Sequence, residues 1–486
     1  MSRIAVASGS GAQARVLSML ERMSHRGEGS GCLREVGPFV TGYDESQDDR
    51  AGVYVDGMAC LSQQGLDSEW SREIPANRVL RPEEISEGYR RGGPEFLESL
   101  SGPFAMLFIT GEGVVMARDP FGLKPLYYAV TPGGMLAASE IKAFAGFSGT
   151  VRTFPPGHVG VPGHLTPFYS LDDTELETLP PLDQALAGFR QRMETAVRRS
   201  LDSGKKAGVL LSGGVDSSIV SAAVARLEPG VPTFVVGTRD CSDVSSAALV
   251  AQALKLEHHR FLYGLGHIEE CLPNVIYHLE SFDAPLVRSS VANYMAARLA
   301  RKAGMEMVFC GEGGDELFAG YHYLKALERK NDVRKELRIL LTQGHSGAFQ
   351  RVDRMNAAHG LEPALPFMDL DVVDFSVSLP LEWKLKREGG NATEKWFLRK
   401  AYLGALPREV VWRKKEKFYL GSGTSGLMTV LAERRVSDSD LRRASREAGC
   451  FVPSSKEELL YYRIFREFFP HRCVDLVGRT RTARVN

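Results

Sequence analysis

The sequence lacks three features that often reveal a protein's partners. Its 60 basic residues balance its 60 acidic ones, so no net charge draws the chain toward nucleic acid or a membrane surface. The seven cysteines form no Cys-x-x-Cys pair, which argues against structural zinc and favours free thiols in a reducing compartment. No apolar run reaches membrane-spanning length, and the N-terminus has no signal-peptide pattern. We expect a soluble cytoplasmic protein that binds neither nucleic acid nor membrane.

The pattern of apolar residues changes once along the 486 residues, which predicts two domains. Residues 1–170 contain short strands punctuated by glycine and one amphipathic helix over 11–23. Residues 171–181 are acidic and aperiodic and contain proline, so they are the predicted linker. From residue 182 onward, apolar strands alternate with helices, which is typical of a parallel sheet. We predict an α/β protein with domains over 1–170 and 182–486.

The most informative segment is GVLLSGGVDSS at 208–218. It combines an apolar strand, two adjacent glycines and a helix start, so backbone N–H groups and hydroxyls converge on one anion. A carboxylate in such a cradle needs a metal to bridge it to phosphate, which predicts that Asp216 is a Mg²⁺ ligand. The alternative is a glycine-rich turn that binds nothing. The residues predicted to hold a nucleotide here are Leu211, Ser212, Gly213, Gly214, Asp216, Ser217 and Ser218.

The reaction type follows from what this loop contains. It lacks the Gly-x-x-x-x-Gly-Lys-Ser/Thr pattern of kinase-like NTPases, so γ-phosphoryl transfer is not expected. The SGGxDS pattern instead resembles the pyrophosphate-binding loop of enzymes that split ATP into AMP and pyrophosphate.

A second acidic segment, CGEGGDELFAGYHY at 310–323, follows an apolar strand over 305–309. Carboxylates at the end of a buried strand are costly unless they are paired or bound to metal. We predict that Asp315 is a second Mg²⁺ ligand and that Glu312 accepts a proton. The alternative is an exposed acidic turn, which would not need three glycines.

A basic segment, VWRKKEKF at 411–418, carries Arg413, Lys414, Lys415 and Lys417. It either neutralises phosphate charge during a reaction or forms a solvated turn, and its composition alone does not decide between them.

Taken together, these segments resemble the asparagine synthetase family over nearly the whole chain. The matching pieces are MSHRG (23–27), GPEFLESLSGPFAMLF (93–108), ARDPFGLKPLYY (117–128), ASEIKAF (138–144), LLSGGVDSS, GEGGDELFAGY, LPFMD (365–369), EKWFLRKAYLGALP (394–407), WRKKEKF and PSSKEELLYYRIFREFFP (453–470). The resemblance implies an N-terminal Ntn-hydrolase-like αββα glutaminase domain. It also implies a C-terminal, doubly wound PP-loop ATP pyrophosphatase domain that uses ATP and Mg²⁺.

The resemblance also implies roles for residues outside the glycine loop. Val236 and Gly237 would lie near the adenosine, and Cys310 and Gly311 beside the adenine. Lys415 occupies the family's lysine position and would stabilise transition-state charge, while Arg288 matches an arginine of the synthetase site. Glu362 stands where the related β-lactam synthetases keep a catalytic glutamate. The partners implied are small molecules: ATP, a carboxylate and an amine. Pairing of two chains into a homodimer is left open.

The glutaminase part departs from the family pattern at several positions. Ser2 replaces the cysteine nucleophile, and a serine hydroxyl is far less acidic than a thiol. Residues 56–58 read Asp-Gly-Met instead of Asn-Gly-Glu, and 79–82 read Val-Leu-Arg-Pro where Gly-Ser-Asp is expected. The arginine-bearing strand after residue 27 is not recognisable. These losses predict a domain that does not hydrolyse glutamine, and Cys32 and Cys60 are more typical of packing residues than of substitute nucleophiles.

The predicted function is ATP-dependent, AMP-forming amidation of a carboxylate, most simply aspartate with ammonia. An amide ligase or β-lactam-synthetase-like cyclase of specialised metabolism is the alternative. Glu312 favours the first, because β-lactam synthetases carry tyrosine there, whereas Ala364 and Cys310 replace an arginine and a serine of asparagine synthetases. A catalytically silent regulator is disfavoured, because buried carboxylates without their metal destabilise a fold.

Overall fold

The computed structural model describes residues 2–27, 31–43, 52–63, 65, 78–110, 113–132, 134–172, 178–416, 418–446 and 451–480. Two larger antiparallel sheets lie in the N-terminal part, and a parallel sheet with helices follows in the C-terminal part. The chain is therefore α/β, as predicted. Every helix within the described ranges is too short or too polar to cross a membrane.

The N-terminal part is built mainly of strands. Its strands are β1 (Ala5–Ser8), β2 (Cys32–Val36), β3 (Phe39–Tyr43), β4 (Val53–Gly57), β5 (Cys60–Leu61), β6 (Leu100–Ser101), β7 (Phe104–Thr110), β8 (Gly113–Arg118), β9 (Tyr127–Thr131), β10 (Gly134–Ala138), β11 (Arg152–Thr153), β12 (His158–Val161) and β13 (His164–Pro167). Its helices are α1 (Ala12–Arg22) and α2 (Pro82–Glu98). The two large sheets have the orders β11-β9-β10-β1-β3-β2 and β13-β12-β8-β7-β4.

These sheets stack face to face between the two helices. Successive side chains of a strand point to opposite faces, so each sheet has an inner and an outer apolar surface. Val6 and Leu107 pack together between the sheets. Ala7 faces the other way and packs with Val16 of α1, while Phe96 of α2 covers the outer face of the second sheet. The arrangement is the expected αββα sandwich.

The C-terminal part alternates strands and helices before it becomes mainly helical. Its strands are β14 (Ala207–Leu210), β15 (Thr233–Gly237), β16 (His258–Leu262), β17 (Met307–Phe309), β18 (Glu362–Ala364), β19 (Leu385–Glu388) and β20 (Asn391–Glu394). Its helices are α3 (Leu182–Leu201), α4 (Val215–Leu227), α5 (Ser242–Leu254), α6 (Leu265–Leu279), α7 (Ala284–Lys302), α8 (Gly314–Leu317), α9 (Lys330–Gln343), α10 (Ala348–Ala357), α11 (Leu370–Ser378), α12 (Leu381–Lys384), α13 (Trp396–Ala401), α14 (Arg408–Val411), α15 (Phe418–Gly421), α16 (Thr424–Arg435), α17 (Asp438–Arg446) and α18 (Lys456–Phe468).

The parallel sheet has the order β16-β15-β14-β17-β18, so the direction of winding reverses between β14 and β17. Helices cover both faces: Val209 packs with Phe189 of α3 and Ile219 of α4, while Val236 packs with Val287 of α7 on the other side. This is the doubly wound topology that was predicted. The loops after β14 and β17 open at the reversal, which is where such sheets bind ligands.

The fold differs from the sequence reading at helix α2, since only the helix over 11–23 was predicted in the N-terminal part, and at strand β18. The edge strand β18 was not predicted, because Pro363 lies inside it and proline cannot donate to a strand ladder. An edge position tolerates that loss. The predicted linker over 171–181 lies partly outside the described residues, since 173–177 are not among them.

Candidate active site

Hydrogen bonds made by its own serine hydroxyl groups fix the conformation of the loop after β14 at the edge of the parallel sheet. The Ser212 and Ser217 Oγ atoms lie 3.1 Å apart, and Ser218 Oγ donates to the Gly214 carbonyl at 2.7 Å. Gly213 has φ +69°, and a Cβ there would lie 2.5 Å from the Ala247 amide nitrogen. Only glycine fits this position. The loop leads into the N-terminus of α4, whose free N–H groups favour an anion.

The loop after β17 packs directly on the first loop, and two glycines allow the contact. A Cβ on Gly311 would lie 2.7 Å from the Ser217 amide nitrogen, and one on Gly314 would lie 2.7 Å from Asp216 Oδ1. The close approach brings the carboxylates of Asp216 and Asp315 to the same edge of the sheet.

Two lysines neutralise this pair of carboxylates. Lys395 Nζ contacts both Asp216 Oδ2 and Asp315 Oδ1, and Lys415 Nζ donates to Asp315 Oδ2 at 2.7 Å. Lys395 precedes α13 with φ +57°, and a Cβ on Gly320 would lie 2.3 Å from its Cε. Lys395 was not singled out from the sequence, although it lies in the matching segment 394–407. The sequence feature that could have pointed to Lys395 is its position as a lysine at the start of a largely apolar helix.

The two carboxyl groups respond differently to these surroundings. Burial raises the pKa of Asp216, and the neighbouring Asp315 adds to the effect although Lys395 opposes it. Burial also acts to raise the pKa of Asp315, but Lys395 and Lys415 outweigh it and hold that pKa below its ordinary value. Asp315 is therefore firmly ionised at neutral pH.

The same pair fits a Mg²⁺ ion that is shared with phosphate. Asp216 Oδ1 is buried and has no hydrogen-bond partner among the described residues. The described part of the chain contains no group of three or more His, Cys, Asp or Glu side chains that could hold a metal by themselves. Mg²⁺ typically takes one or two carboxylates and fills its other positions with water and substrate phosphates. The donor set therefore suits Mg²⁺ that arrives with a nucleotide.

A cavity of about 720 Å³ opens at this edge. Most of the predicted site residues line it: Leu211, Ser212, Gly214, Asp216, Ser217, Val236, Cys310, Gly311, Glu312, Asp315 and Lys415. Five others do not: Gly213, Ser218, Gly237, Arg288 and Glu362. The first three of these are backbone neighbours of lining residues, whereas Arg288 and Glu362 are separate cases.

Arg288 and Glu362 are both held by ion pairs outside the cavity lining. Arg288 Nε donates to Glu457 Oε2 at 2.5 Å. Glu362 is 1% exposed, and its Oε1 lies 2.6 Å from Lys124 Nζ. Their assigned catalytic roles stay predictions that this geometry does not support.

Two further pairs of polar side chains line the cavity. Arg351 Nη2 donates to Glu312 Oε1 at 2.9 Å, which orients the predicted proton acceptor. Tyr321 donates to Glu316 Oε1 at 2.6 Å. Burial, together with the negative charge of Asp315, raises the pKa of Glu316 to about 7. Arg351 carried no signal in the sequence, and Tyr321 was not singled out although it ends the matching segment GEGGDELFAGY, because their partners are brought near them only by folding.

Part of the basic segment 411–418 faces the cavity. Lys415 joins the carboxylate pair, and Arg413 Nη2 donates to Asp243 Oδ1 at 2.9 Å. Lys414 also lines the cavity, and Lys417 lies outside the described residues. Of the two interpretations left open, the cavity favours a role near phosphate over a solvated turn.

The residues that replace the expected glutaminase pocket residues either pack in apolar clusters or form ion pairs. Asp56 accepts from Arg26 Nη2 at 3.1 Å, Met58 packs into the core of the C-terminal part, and Leu80 packs under the second sheet. Burial raises the pKa of the Cys60 thiol to about 12, so it is not a nucleophile at neutral pH. Cys32 is half-buried.

Comparison with known proteins agrees with this geometry. The asparagine synthase family model matches residues 188–483, and a glutamine amidotransferase domain model matches 80–146. The chain belongs to the asparagine synthase family. It is an ATP-dependent ligase.

Three curated relatives span most of the chain. Asparagine synthetase B [glutamine-hydrolyzing] of Escherichia coli is 33% identical over 403 residues, covering 79% of this chain and 72% of the relative. A probable asparagine synthetase [glutamine-hydrolyzing] of Schizosaccharomyces pombe is 30% identical over 429 residues, covering 80% and 76%. Asparagine synthetase [glutamine-hydrolyzing] 2 of Arabidopsis thaliana is 32% identical over 409 residues, covering 80% and 71%.

The first prediction concerns Lys395. Lys395→Met keeps the length of the side chain but leaves two half-buried carboxylates with Lys415 as their remaining lysine. Breaking a buried ion pair from one side costs about 3–5 kcal/mol of the free energy of unfolding, measured by urea denaturation. Lys386→Met, which removes a surface pair with Glu388, is the control and should cost about 0–1 kcal/mol. Equal stability of the two variants would contradict the assignment.

The second prediction concerns Glu316 and pH. Its pKa is raised from 4.5 to about 7 in the folded state, so the folded state binds the proton more tightly than the unfolded state. Its contribution to stability therefore falls as pH rises from about 4.5 to 7. Glu316→Gln removes this loss, on the order of 3 kcal/mol, so the variant gains stability relative to the native chain between pH 5 and pH 8.

Urea unfolding of both proteins at those two pH values measures this difference. Glu328→Gln, at an exposed position, is the matched control for the replacement of a glutamate by glutamine. A difference between Glu316→Gln and the native chain that is identical at both pH values would show that Glu316 titrates normally.

Proposed function

We propose that this member of the asparagine synthase family amidates aspartate with ammonia through an acyl-adenylate, and does not hydrolyse glutamine. The proposal rests above all on one observation: an anion-binding loop, two carboxylates and two lysines meet in a single cavity. In this proposal, residues 1–170 form a silent glutaminase-like domain and 182–486 form the synthetase domain.

The first step joins the substrate carboxylate to AMP. A carboxylate oxygen attacks the α-phosphorus of ATP, and the bond from that phosphorus to pyrophosphate breaks. Ser212, Ser217 and the N-terminus of α4 bind the departing pyrophosphate, and Lys415 stabilises charge on the reacting phosphate. Asp216 and Asp315 would hold Mg²⁺, which would supply positive charge to the phosphates.

The second step forms the amide. The amine nitrogen attacks the acyl carbon, the bond from that carbon to AMP breaks, and the amine loses a proton. Glu312 lines the cavity and accepts that proton, while its hydrogen bond to Arg351 keeps the carboxylate aimed in one direction.

A second candidate substrate is another amino-acid-derived carboxylate. Ala364 replaces an arginine usual in asparagine synthetases, and its carbonyl accepts from the Cys310 N–H at 2.9 Å beside the cavity. A changed side chain on a neighbouring strand can alter which carboxylate fits. Glu312 favours aspartate, because the cyclases of this superfamily resemble the chain less at that position.

The absence of glutamine hydrolysis is supported by the N-terminal contacts. Met58 and Leu80 occupy positions where the family pattern places a carboxylate and small polar residues, and both are buried in apolar clusters. Ser2 stands where the family has its cysteine. A site with these substitutions lacks both an activated nucleophile and partners for the substrate amide.

The third prediction tests this function directly. Purified protein with Mg-ATP, aspartate and ammonium should release pyrophosphate and form asparagine, whereas glutamine in place of ammonium should give neither asparagine nor glutamate. Pyrophosphate release would be followed by a coupled assay and products by mass spectrometry. Glutamate release that Ser2→Ala abolishes would refute the silent domain, and release with another carboxylate alone would favour the second candidate.

The fourth prediction tests the metal ligands. Asp216→Asn and Asp315→Asn each remove one charge from the pair and should lower Mg²⁺-dependent pyrophosphate release by about 100-fold or more. Asp240→Asn, outside the cavity lining, is the control. Near-normal turnover of either Asp216→Asn or Asp315→Asn would show that the metal is held elsewhere.

A further inference from the structure

The last described residues of the chain return to the cavity. We call residues 477–480 the C-terminal strap. Arg479 and Thr480 line the cavity and are also exposed to solvent, so the strap lies at its rim. The strap lies beyond 453–470, the last of the segments on which the family resemblance rests. Its contacts are therefore a feature of this structure that the matching segments do not imply.

Arg479 anchors the strap at the rim. Its guanidinium carbon lies 4.6 Å from the ring centroid of Phe282 and 4.7 Å from that of Phe451. Its Nη1 also donates to Glu458 Oε1, in the first turn of α18, at 2.5 Å. A cation that lies against two aromatic rings and also has an anionic partner is held in one orientation. Arg479 therefore fixes where the strap crosses the rim.

Thr480 joins the strap to the start of α7. Its backbone N–H donates to Asp283 Oδ1 at 3.1 Å, and its hydroxyl donates to Asp283 Oδ2. Asp283 Oδ2 also accepts from the Leu286 N–H at 3.3 Å, which caps α7. The carboxylate that caps this helix therefore also holds the strap. Leu286, Ser289 and Asn293 of α7 line the cavity, so the strap is fixed to one of its walls.

Gly478 packs against the turn that precedes α10. A Cβ on Gly478 would lie 2.4 Å from the Ser346 carbonyl oxygen, so glycine permits a contact that a larger residue would push apart. Ser346 ends the turn Gly344–Ser346, and the Gly347 carbonyl then accepts from the Arg351 N–H at 3.0 Å in the first turn of α10. The position of Ser346 is thus coupled through the backbone to that of Arg351.

We propose that the C-terminal strap positions Arg351, and through it Glu312, for the amide-forming step. The strap ties the turn at Ser346 to the start of α7. Arg351 Nη2 in turn donates to Glu312 Oε1 at 2.9 Å. A catalytic group that is displaced by about 1 Å can lose most of its effect. Gly478 and Thr480 are therefore positioning residues, and this inference rests on the proposed function.

A displaced strap should separate the two steps of the reaction. Adenylate formation does not use Glu312, so pyrophosphate is still released. The amine then loses its proton slowly, and water reacts in its place: a water oxygen bonds to the acyl carbon, the bond to AMP breaks, and the starting carboxylate returns. The amount of asparagine formed per pyrophosphate released therefore falls. A merely structural defect would lower both products together.

The fifth prediction measures this ratio in Gly478→Ala. The added methyl group meets the backbone oxygen of Ser346, which no side-chain rotation can relieve. Asparagine formed per pyrophosphate should therefore fall by about tenfold, with KM for ATP unchanged. Gly426→Ala, whose added methyl group points into open space, is the control and should keep the native ratio. Pyrophosphate is followed by a coupled assay and asparagine by mass spectrometry, at saturating ammonium.

Two further comparisons distinguish positioning from packing. In a Glu312→Gln background, Gly478→Ala should lower the ratio no further, because the strap acts through Glu312. Thr480→Val should lower the ratio, and Thr480→Ser, which keeps the hydroxyl, should restore it. This second pair decides the question if Gly478→Ala does not fold.

A native ratio in folded Gly478→Ala or in Thr480→Val, or an additional loss in the Glu312→Gln background, would overturn the inference. Failure of the proposed function is distinct, because the native chain would then form no asparagine with ammonium.

Discussion

The site depends on the neutralisation of two half-buried carboxylates that the fold brings together at one edge of the parallel sheet. Asp216 and Asp315 lie in the first turns of α4 and α8, shortly after two neighbouring parallel strands, and such a pair is stable only with cations beside it. Lys395 and Lys415 supply them from segments far along the chain. The close contact of the two loops and the left-handed backbone at Lys395 serve this charge arrangement, which also suits phosphate and Mg²⁺.

Ion pairs between buried charged side chains also stabilise the contact between the N-terminal and C-terminal parts. Ion pairs of Arg26, Lys124 and Arg354 cross between the αββα sandwich and the C-terminal part, and Met58 adds an apolar contact to the C-terminal core. Residues that the family pattern assigns to a glutamine pocket here contribute to packing. The N-terminal part is thus bound to the C-terminal part by contacts that would be costly to separate.

The glycine loops, their flanking strands and both acidic residues were predictable, because each lies within a short segment whose periodicity is local. Strand β18 was not predictable, because Pro363 cannot donate to a strand ladder. Proline is tolerated there only because β18 is an edge strand. Lys395 and Tyr321 lie in segments that match the family but were not singled out, and no local pattern marks Arg351, because the partners of all three are brought near them only by folding. The catalytic role of Glu362 stays a prediction, and the structure adds a contact that no local pattern indicated, its ion pair with Lys124.

The sequence by itself determined the family, the α/β class and the anion loop with its carboxylates, because these follow from periodicity and from contiguous motifs. Only the tertiary structure decided which cations face those carboxylates, which side chains orient Glu312, and that charge fills the contact between the two parts. The physical reason is that burial and ion pairing join residues a hundred or more positions apart, and their energies depend on a shared environment of low polarity that no single segment contains.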